Sequence, residues 1–302
     1  MIYYLGRPIS EVIRIDSDYY ENIRNHKANL IRALNIEINF DILLGNYREF
    51  EENILTMSLQ HIIFATELHY ELKPQRKELN RRIANFLSST SSYLDQLLKK
   101  MNLIYGENTI KPQSIEKLTN QKYDNCFSYR LMEQFRNYVQ HRGLSAPLIS
   151  VSYIPTKLKS SYQFACTLTP QILKKYLLED KKISAKVRTE INALSDPIDL
   201  KYHIREYFGC INAIHKEVRR ILNEDGEIWE KTICGAIDRF KIEFHLKDDN
   251  EIVGLAIFKS EAEMPSPVLE KHDIFIDFIE YRKHLQSVNE VRDDVAQGIT
   301  TG

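Results

Sequence analysis

The chain has 302 residues, with 41 Lys plus Arg against 42 Asp plus Glu, a formal charge of -1, 43% hydrophobic and 27% charged residues. Hydrophobicity this high with so little net charge excludes an intrinsically disordered chain, and ten Gly and nine Pro exclude a collagen-like or linker-like one. A packed core in one large or two ordinary domains is expected, and any polyanion-binding role must reside in a local patch.

The first half reads as long helices. From Asp18 the stripe Ile23, Leu30, Ile31, Leu34, Ile38 and Ile42 recurs at three- and four-residue steps, and Gly45 is a stop signal. Phe50, Ile54, Met57, Leu59, Ile62, Ile63, Leu68 and Leu72 predict a second helix closing at Pro74. Pro74 suits the first turn of a third, with core positions from Leu79 to Met101 before Gly106. The hydroxyl run Ser88 to Ser92 is read as a kink or break in it. A fourth helical segment starts near Ser114 or resumes near Asp124, and ends at Gly143.

Period-2 patterning then appears. PLISVSYIP and SYQFACTLT, separated by Thr156 to Ser160, predict a β-hairpin. Ser195-Asp196-Pro197 opens a further helix through Ile198, Ile204, Phe208, Ile211, Ile214, Val218 and Leu222, and Trp229 and Ile233 suggest another after Gly226. Phe240, Ile242, Phe244 and Leu246 alternate with polar residues, and with IVGLAIF they predict a second hairpin. A last helix covers Leu269 to Leu285, followed by a frayed tail. The expected fold class is mainly α with small β-hairpin additions. The expected organisation is a helical extension over 1–45, a helical bundle over 46–225 with its hairpin near 148–168, and a helix, hairpin and helix portion over 226–302.

Cys126, Cys166, Cys210 and Cys234 form no C-x-x-C pair and read as small buried hydrophobes in a reducing compartment. The N-terminus has no basic region before an apolar run, so a soluble, cytoplasmic protein without a membrane partner is expected. Glycine-rich phosphate loops, G-x-S-x-G and H-E-x-x-H are absent, and the scattered carboxylates suggest neither a metal nor a cofactor. His61, His69, His203 and His215 lack adjacent ligand sets and read as core or surface residues.

One constellation stands apart. In LMEQFRNYVQHRGL, Arg136 is followed by Asn137, and His141 comes after four intervening residues. At 100° per residue, Leu131, Phe135, Tyr138 and Val139 form an apolar stripe. Asn137 and His141 fall together on the polar face beside Arg130 and Gln134, with Arg136 on the flank. Arg239 and His245 have a similar spacing but sit in the alternating segment, where a strand would separate them by about 20 Å. A histidine at neutral pH can take and return a proton, so His141 suits a ribose 2'-hydroxyl or a leaving oxygen. Arg136 offers a planar fork of donors to a phosphate, and Asn137 an orienting amide. The other reading of Arg136 and His141 is a surface ion pair, or residues that complement a helix C-terminus.

The stretch resembles the R-x4-6-H motif of the HEPN superfamily, in which a polar residue, often Asn, follows the Arg. The resemblance implies a HEPN-like antiparallel helical bundle that dimerises, bringing two Arg and two His to one cleft. It also implies metal-independent RNA cleavage in a toxin or antiphage defence role, restrained by a cognate antitoxin or sensor protein; the C-terminal portion, from about Gly226, could be the sensor or partner-binding part. Arg136, Asn137 and His141 are then the catalytic set, with Arg142, Arg130 and Tyr138 as substrate-binding residues. Lys157, Lys159, Tyr153 and Tyr162 are possible additions to a phosphate- and base-binding surface. A subset of these toxins has a modified Tyr two residues after the His, whereas this chain has Gly143. The alternative is a non-catalytic HEPN-like module that binds a nucleotide or a partner.

Overall fold

The computed structural model describes residues 1–64, 68–142, 148–158, 161–179, 183–248 and 252–293. The side chains of 68–73, 141–142, 151–158, 161–165 and 167 lie outside the description. In chain order, β1 (Ile2–Gly6) and β2 (Val12–Ile15) precede four helices, α1 (Ser17–Ile63), α2 (Leu68–Tyr105), α3 (Ile110–Asn125) and α4 (Phe127–Arg142). Next come β3 (Leu148–Leu158), β4 (Ser161–Ile172), α5 (Lys174–Leu178), α6 (Ala185–Ala193) and β5 (Ile198–Asp199). The chain continues through α7 (Leu200–Glu243), β6 (Ala256–Ser260), β7 (Val268–Asp273) and α8 (Asp277–Val288). The described residues are thus mainly helical with small antiparallel sheets, and none of their helices is long and apolar enough to cross a membrane.

Two compact units divide the chain, each discontinuous in sequence. The first comprises Met1–Ile38, Leu103–Gly106 and Val218–Asn289. Its sheet has the order β2-β1-β6-β7, with Tyr4 stacked on Phe258 at 5.3 Å. The two N-terminal strands are a departure from the expected all-helical extension: the run Ile2, Tyr3, Tyr4, Leu5 pairs along Ala256–Ser260 and buries its aromatic and aliphatic side chains. Gly6 closes the turn between β1 and β2, where an added Cβ would lie 2.2 Å from the Glu11 carbonyl oxygen. In the same unit, buried Glu37 accepts from Arg219 at 2.8 to 3.1 Å and from Gln286 at 3.0 Å.

The second hairpin expectation is corrected here. Phe240 to Glu243 continue α7, because Ile233, Ala236, Ile237 and Phe240 bury one helical stripe while Ile242 is exposed. The helix ends after Phe244 in a Schellman arrangement: Leu246 N donates to Lys241 O at 3.0 Å, His245 N donates to Ile242 O, and His245 adopts φ 55°. Arg239 and His245 are therefore not strand residues; Arg239 sits over the Tyr19 ring. The IVGLAIF strand pairs with β1 and β7 instead. The expected last helix is also shortened, since residues 268–273 form β7 and α8 starts only at Asp277. Gly226 lies inside α7 without interrupting it, and its missing side chain leaves room for the Arg282 guanidinium, 3.1 Å from an added Cβ.

The second unit comprises Asn39–Asn102, Glu107–Glu217 and Glu290–Gly302. Gly45 does not stop α1, because the buried stripe Phe40, Leu43, Tyr47, Phe50, Ile54 and Met57 runs straight through it and outweighs a glycine's cost of about 1 kcal/mol. Pro74 lies inside α2 rather than at its start, and the hydroxyl run does not break that helix. Thr90 returns its hydroxyl to Phe86 O at 2.8 Å, and Ser89 to the same carbonyl at 3.0 Å. The first hairpin matches its expectation, with β3 and β4 paired from Leu148↔Gln171 to Leu158↔Ser161. Asp196 bonds Lys174 N, and the opening of α7 is capped by Asp199, which accepts from Tyr202 N at 3.1 Å. At the centre of this unit, His215 stacks on Phe40 at 3.6 Å and bonds the Tyr93 hydroxyl at 2.9 Å, a core histidine as expected. Glu51 and Arg205 form a buried bidentate pair, joined by the Tyr47 hydroxyl.

Candidate functional site

Helix α4 carries the motif, and its sequence explains its seat. Ser128, Tyr129, Leu131, Met132, Phe135 and Tyr138 recur at three- and four-residue steps, and all are buried in the second unit. The Cys126 amide closes α3 onto Lys122 O, and the Cys126 carbonyl accepts from Arg130 N at 3.4 Å to open α4. One residue thus separates two 16-residue helices.

Arg136 sits on the half-buried flank of α4. Its Nη1 donates to Ser91 Oγ on α2, and its Nη2 donates to Asn137 Oδ1 at 3.2 Å. Among the described residues its buried Nε has no hydrogen-bond partner. Nearby, the fully buried Tyr207 hydroxyl donates to Glu133 Oε1 at 2.5 Å. Burial and the Glu133 charge hold that phenol well above its ordinary range, and the Arg136 charge opposes them. The guanidinium is therefore positioned by neutral oxygens. Ser91 was not legible as a site residue, because its only sequence signal, the hydroxyl run, also fits a kink.

Asn137 and His141 lie four residues apart in the same helix, one turn or about 6 Å along its axis. The side chains of His141 and Arg142 lie outside the described residues, as do those of Lys157, Lys159, Tyr153 and Tyr162.

Two of the expected substrate-binding residues are placed in the core rather than on an open polar face. Arg130 is buried, bonds Glu190 through Nε and Nη2 at 3.1 and 2.5 Å, and donates from Nη1 to the carbonyls of Tyr123 and Asp124, each at 2.6 Å. Four bonds to the protein leave its guanidinium little capacity for a phosphate. Tyr138 is buried between Phe135 and Tyr176, in line with the apolar stripe and not with base stacking.

A second chemically distinctive region lies at the opposite end of α4, roughly 12–15 Å along the helix from Arg136. A cavity of about 640 Å³ is lined there by Lys122, Cys126, Ser128, His203, Glu206 and Cys210, among others. His203 Nδ1 bonds Ser128 Oγ at 2.7 Å, and its ring meets Phe127 edge-on. Burial pulls this imidazole down to about 4, with Asp199 opposing, so it is neutral at pH 7. Of the four cysteines expected to be buried, only Cys166 is; Cys126 and Cys210 are half-buried at this cavity and Cys234 is exposed. Among the described residues, no three His, Cys, Asp or Glu side chains converge to hold a metal ion.

Compared with known protein families, curated proteins and solved structures, the chain matches none.

Proposed function

We propose that the chain is a metal-independent endoribonuclease of the HEPN kind, acting as a homodimer in a toxin or antiphage defence role. The observation that supports this reading is the Arg136 guanidinium, held by Ser91 and Asn137, with His141 one turn beyond Asn137 in the same helix. Ser91 and Asn137 offer neutral oxygens, and a phosphate oxygen is a stronger acceptor for guanidinium than either. An RNA phosphate therefore displaces these bonds at modest cost and keeps the same donor geometry. In this reading His141 removes the 2'-hydroxyl proton and returns one to the 5'-oxygen leaving group. Arg136 neutralises the extra charge on the phosphorane, and Asn137 orients the ribose or the imidazole. Arg142 remains a proposed substrate contact, whereas Arg130 and Tyr138 act as parts of the scaffold. An antitoxin or sensor protein is the partner such an activity requires.

The test is incubation of purified protein with labelled RNA in EDTA, alongside His141→Ala and Arg136→Ala. The reading expects cleavage by the wild type and losses of about 10² or more for each variant. Cleavage that survives both substitutions overturns the assignment of residues. Absence of cleavage, with intact dimers, assigns the chain to the non-catalytic binding modules.

A further inference from the structure

Two free thiols meet at the cavity beside the α3–α4 junction. Cys126 is the single residue between those helices, and Cys210 lies on α7. Both line the same cavity and both are half-buried, so a small solute can reach them. The Cys210 thiol is the strongest influence on the Cys126 sulfur, and the backbone amides of Tyr129 and Ser128, in the first turn of α4, act in the same direction. Cys126 thus sits at the positive end of a 16-residue helix.

These influences set unequal roles. The hydrogen bond from Cys210, followed by the two amides, favours the Cys126 thiolate against burial and the Glu206 charge. Donating that same hydrogen bond, together with burial, pushes the Cys210 thiol up, with Lys122 opposing. Cys126, at the helix N-terminus, is the sulfur favoured as thiolate, and Cys210 is the one favoured as thiol. That division separates an attacking from a resolving cysteine. His203 stays neutral and engaged with Ser128, so it adds no competing charge at the cavity wall.

We propose that Cys126 and Cys210 form a thiol–disulfide exchange site, with Cys126 as the nucleophile, Cys210 as the resolving thiol, and a low-molecular-weight disulfide as the co-substrate. The Cys126 thiolate attacks one sulfur of the disulfide R–S–S–R. A Cys126–S–S–R bond forms as the R–S–S–R bond breaks, and one RS⁻ leaves. Cys210 then gives up its proton to the departing thiolate and attacks the Cys126 sulfur. The Cys126–Cys210 bond forms as the Cys126–S–R bond breaks, and the second R group leaves as RS⁻, which takes a proton from water. The balance is one protein dithiol oxidised to a disulfide and one small disulfide reduced to two thiols. The product would tether the N-terminus of α4 to α7 within the second unit.

The experiment uses the full chain and oxidised glutathione, with acid quenching, alkylation of remaining thiols and peptide mass spectrometry. The wild type is expected to give a Cys126–Cys210 linked peptide that dithiothreitol reverses. Cys210→Ser is expected to stop at a mixed disulfide on Cys126, formed about tenfold faster than on exposed Cys234 in the same molecule. Cys126→Ser is expected to abolish the linked peptide while Cys234 still reacts. Circular dichroism on each variant establishes that it is folded, and Cys126→Ala replaces Cys126→Ser if the serine variant is not. A wild type without the linked peptide, or Cys126 reacting no faster than Cys234 in Cys210→Ser, overturns the proposal. No RNA enters these measurements, so their outcome is separate from that of the ribonuclease reading.

Discussion

The Arg136 guanidinium on α4 donates to the Ser91 hydroxyl on α2, so the motif arginine is fixed by a residue 45 positions earlier in the chain. Without that hydroxyl the side chain regains rotamer freedom, and Asn137 is left to hold it. Ser91→Ala is expected to lower RNA cleavage about tenfold through loss of positioning, in keeping with the sensitivity of catalysis to small misplacements. Stability should change by no more than about 1 kcal/mol. Single-turnover kinetics and urea denaturation on the same preparations separate the two effects, and an unchanged cleavage rate would remove Ser91 from the site.

The buried Glu51–Arg205 pair gives a larger stability effect. Its two parallel bonds measure 2.8 Å each, with side chains 8% and 10% exposed. Arg205→Ala leaves a carboxylate buried beside the Tyr47 hydroxyl and is expected to cost about 3–5 kcal/mol. The double variant Glu51→Leu, Arg205→Met removes both charges and should recover much of that loss. Urea midpoints for the single and double variants check it, and a double variant less stable than Arg205→Ala would contradict it.

His245 closes α7 in the left-handed region, where a side chain is strained. His245→Gly retains the Schellman bonds to Lys241 and Ile242 and is expected to stabilise the protein by about 1 kcal/mol. Calorimetry should then show a raised Tm. A lowered Tm would mean that the imidazole makes a compensating contact.

His203 links stability to pH. Its folded value, about 4, lies below the unfolded 6.5, because burial disfavours the imidazolium. Between those values the unfolded chain binds a proton that the folded chain refuses, so stability rises with pH through that window. The contribution is complete above about pH 6.5 and is lost as pH falls towards 4, by on the order of 3 kcal/mol in all. His203→Gln keeps a side chain able to bond Ser128 and cannot titrate there. Its unfolding free energy should be flatter between pH 6.5 and 4, and identical pH slopes in the two proteins would assign the dependence to other groups.

Local patterning revealed much of the helical framework because the core stripes of α1, α2, α4 and α7 repeat at helical spacing over many residues. It misplaced the ends where burial overrode a local signal. Gly45 and Gly226 read as breaks but lie in helices whose apolar faces continue on both sides. Phe240 to Leu246 alternate like a strand, yet the four-residue step from Ala236 to Phe240 buries more and keeps the helix. The N-terminal strands depend on β6, some 250 residues away, and Gly6 marks only their turn. At the candidate site, the types and spacing of Arg136, Asn137 and His141 are local facts. The engagement of Arg130 by Glu190, the hydroxyl at Ser91 and the meeting of Cys126 with Cys210 are long-range facts with no signature in any short window.

Near-neutral charge also constrains how RNA is held. With 41 basic and 42 acidic residues, and with Arg130 withdrawn into the core, the proposed contact surface is a small one around Arg136 and Arg142. Weak binding of long RNA is expected, with a shallow dependence on salt concentration. Filter binding between 50 and 200 mM salt reads that slope. Tight, sequence-independent binding maintained at high salt would contradict a small site.

The chemistry itself is read most directly from the ends of the cleaved RNA. Attack by the neighbouring 2'-oxygen leaves a 2',3'-cyclic phosphate on one fragment and a 5'-hydroxyl on the other, and a single 2'-deoxy substitution at the mapped cleavage position must abolish cutting there. The proposed mechanism predicts both results in EDTA, with no products from His141→Ala. Fragments carrying 5'-phosphates, or undiminished cutting at the 2'-deoxy position, would contradict it.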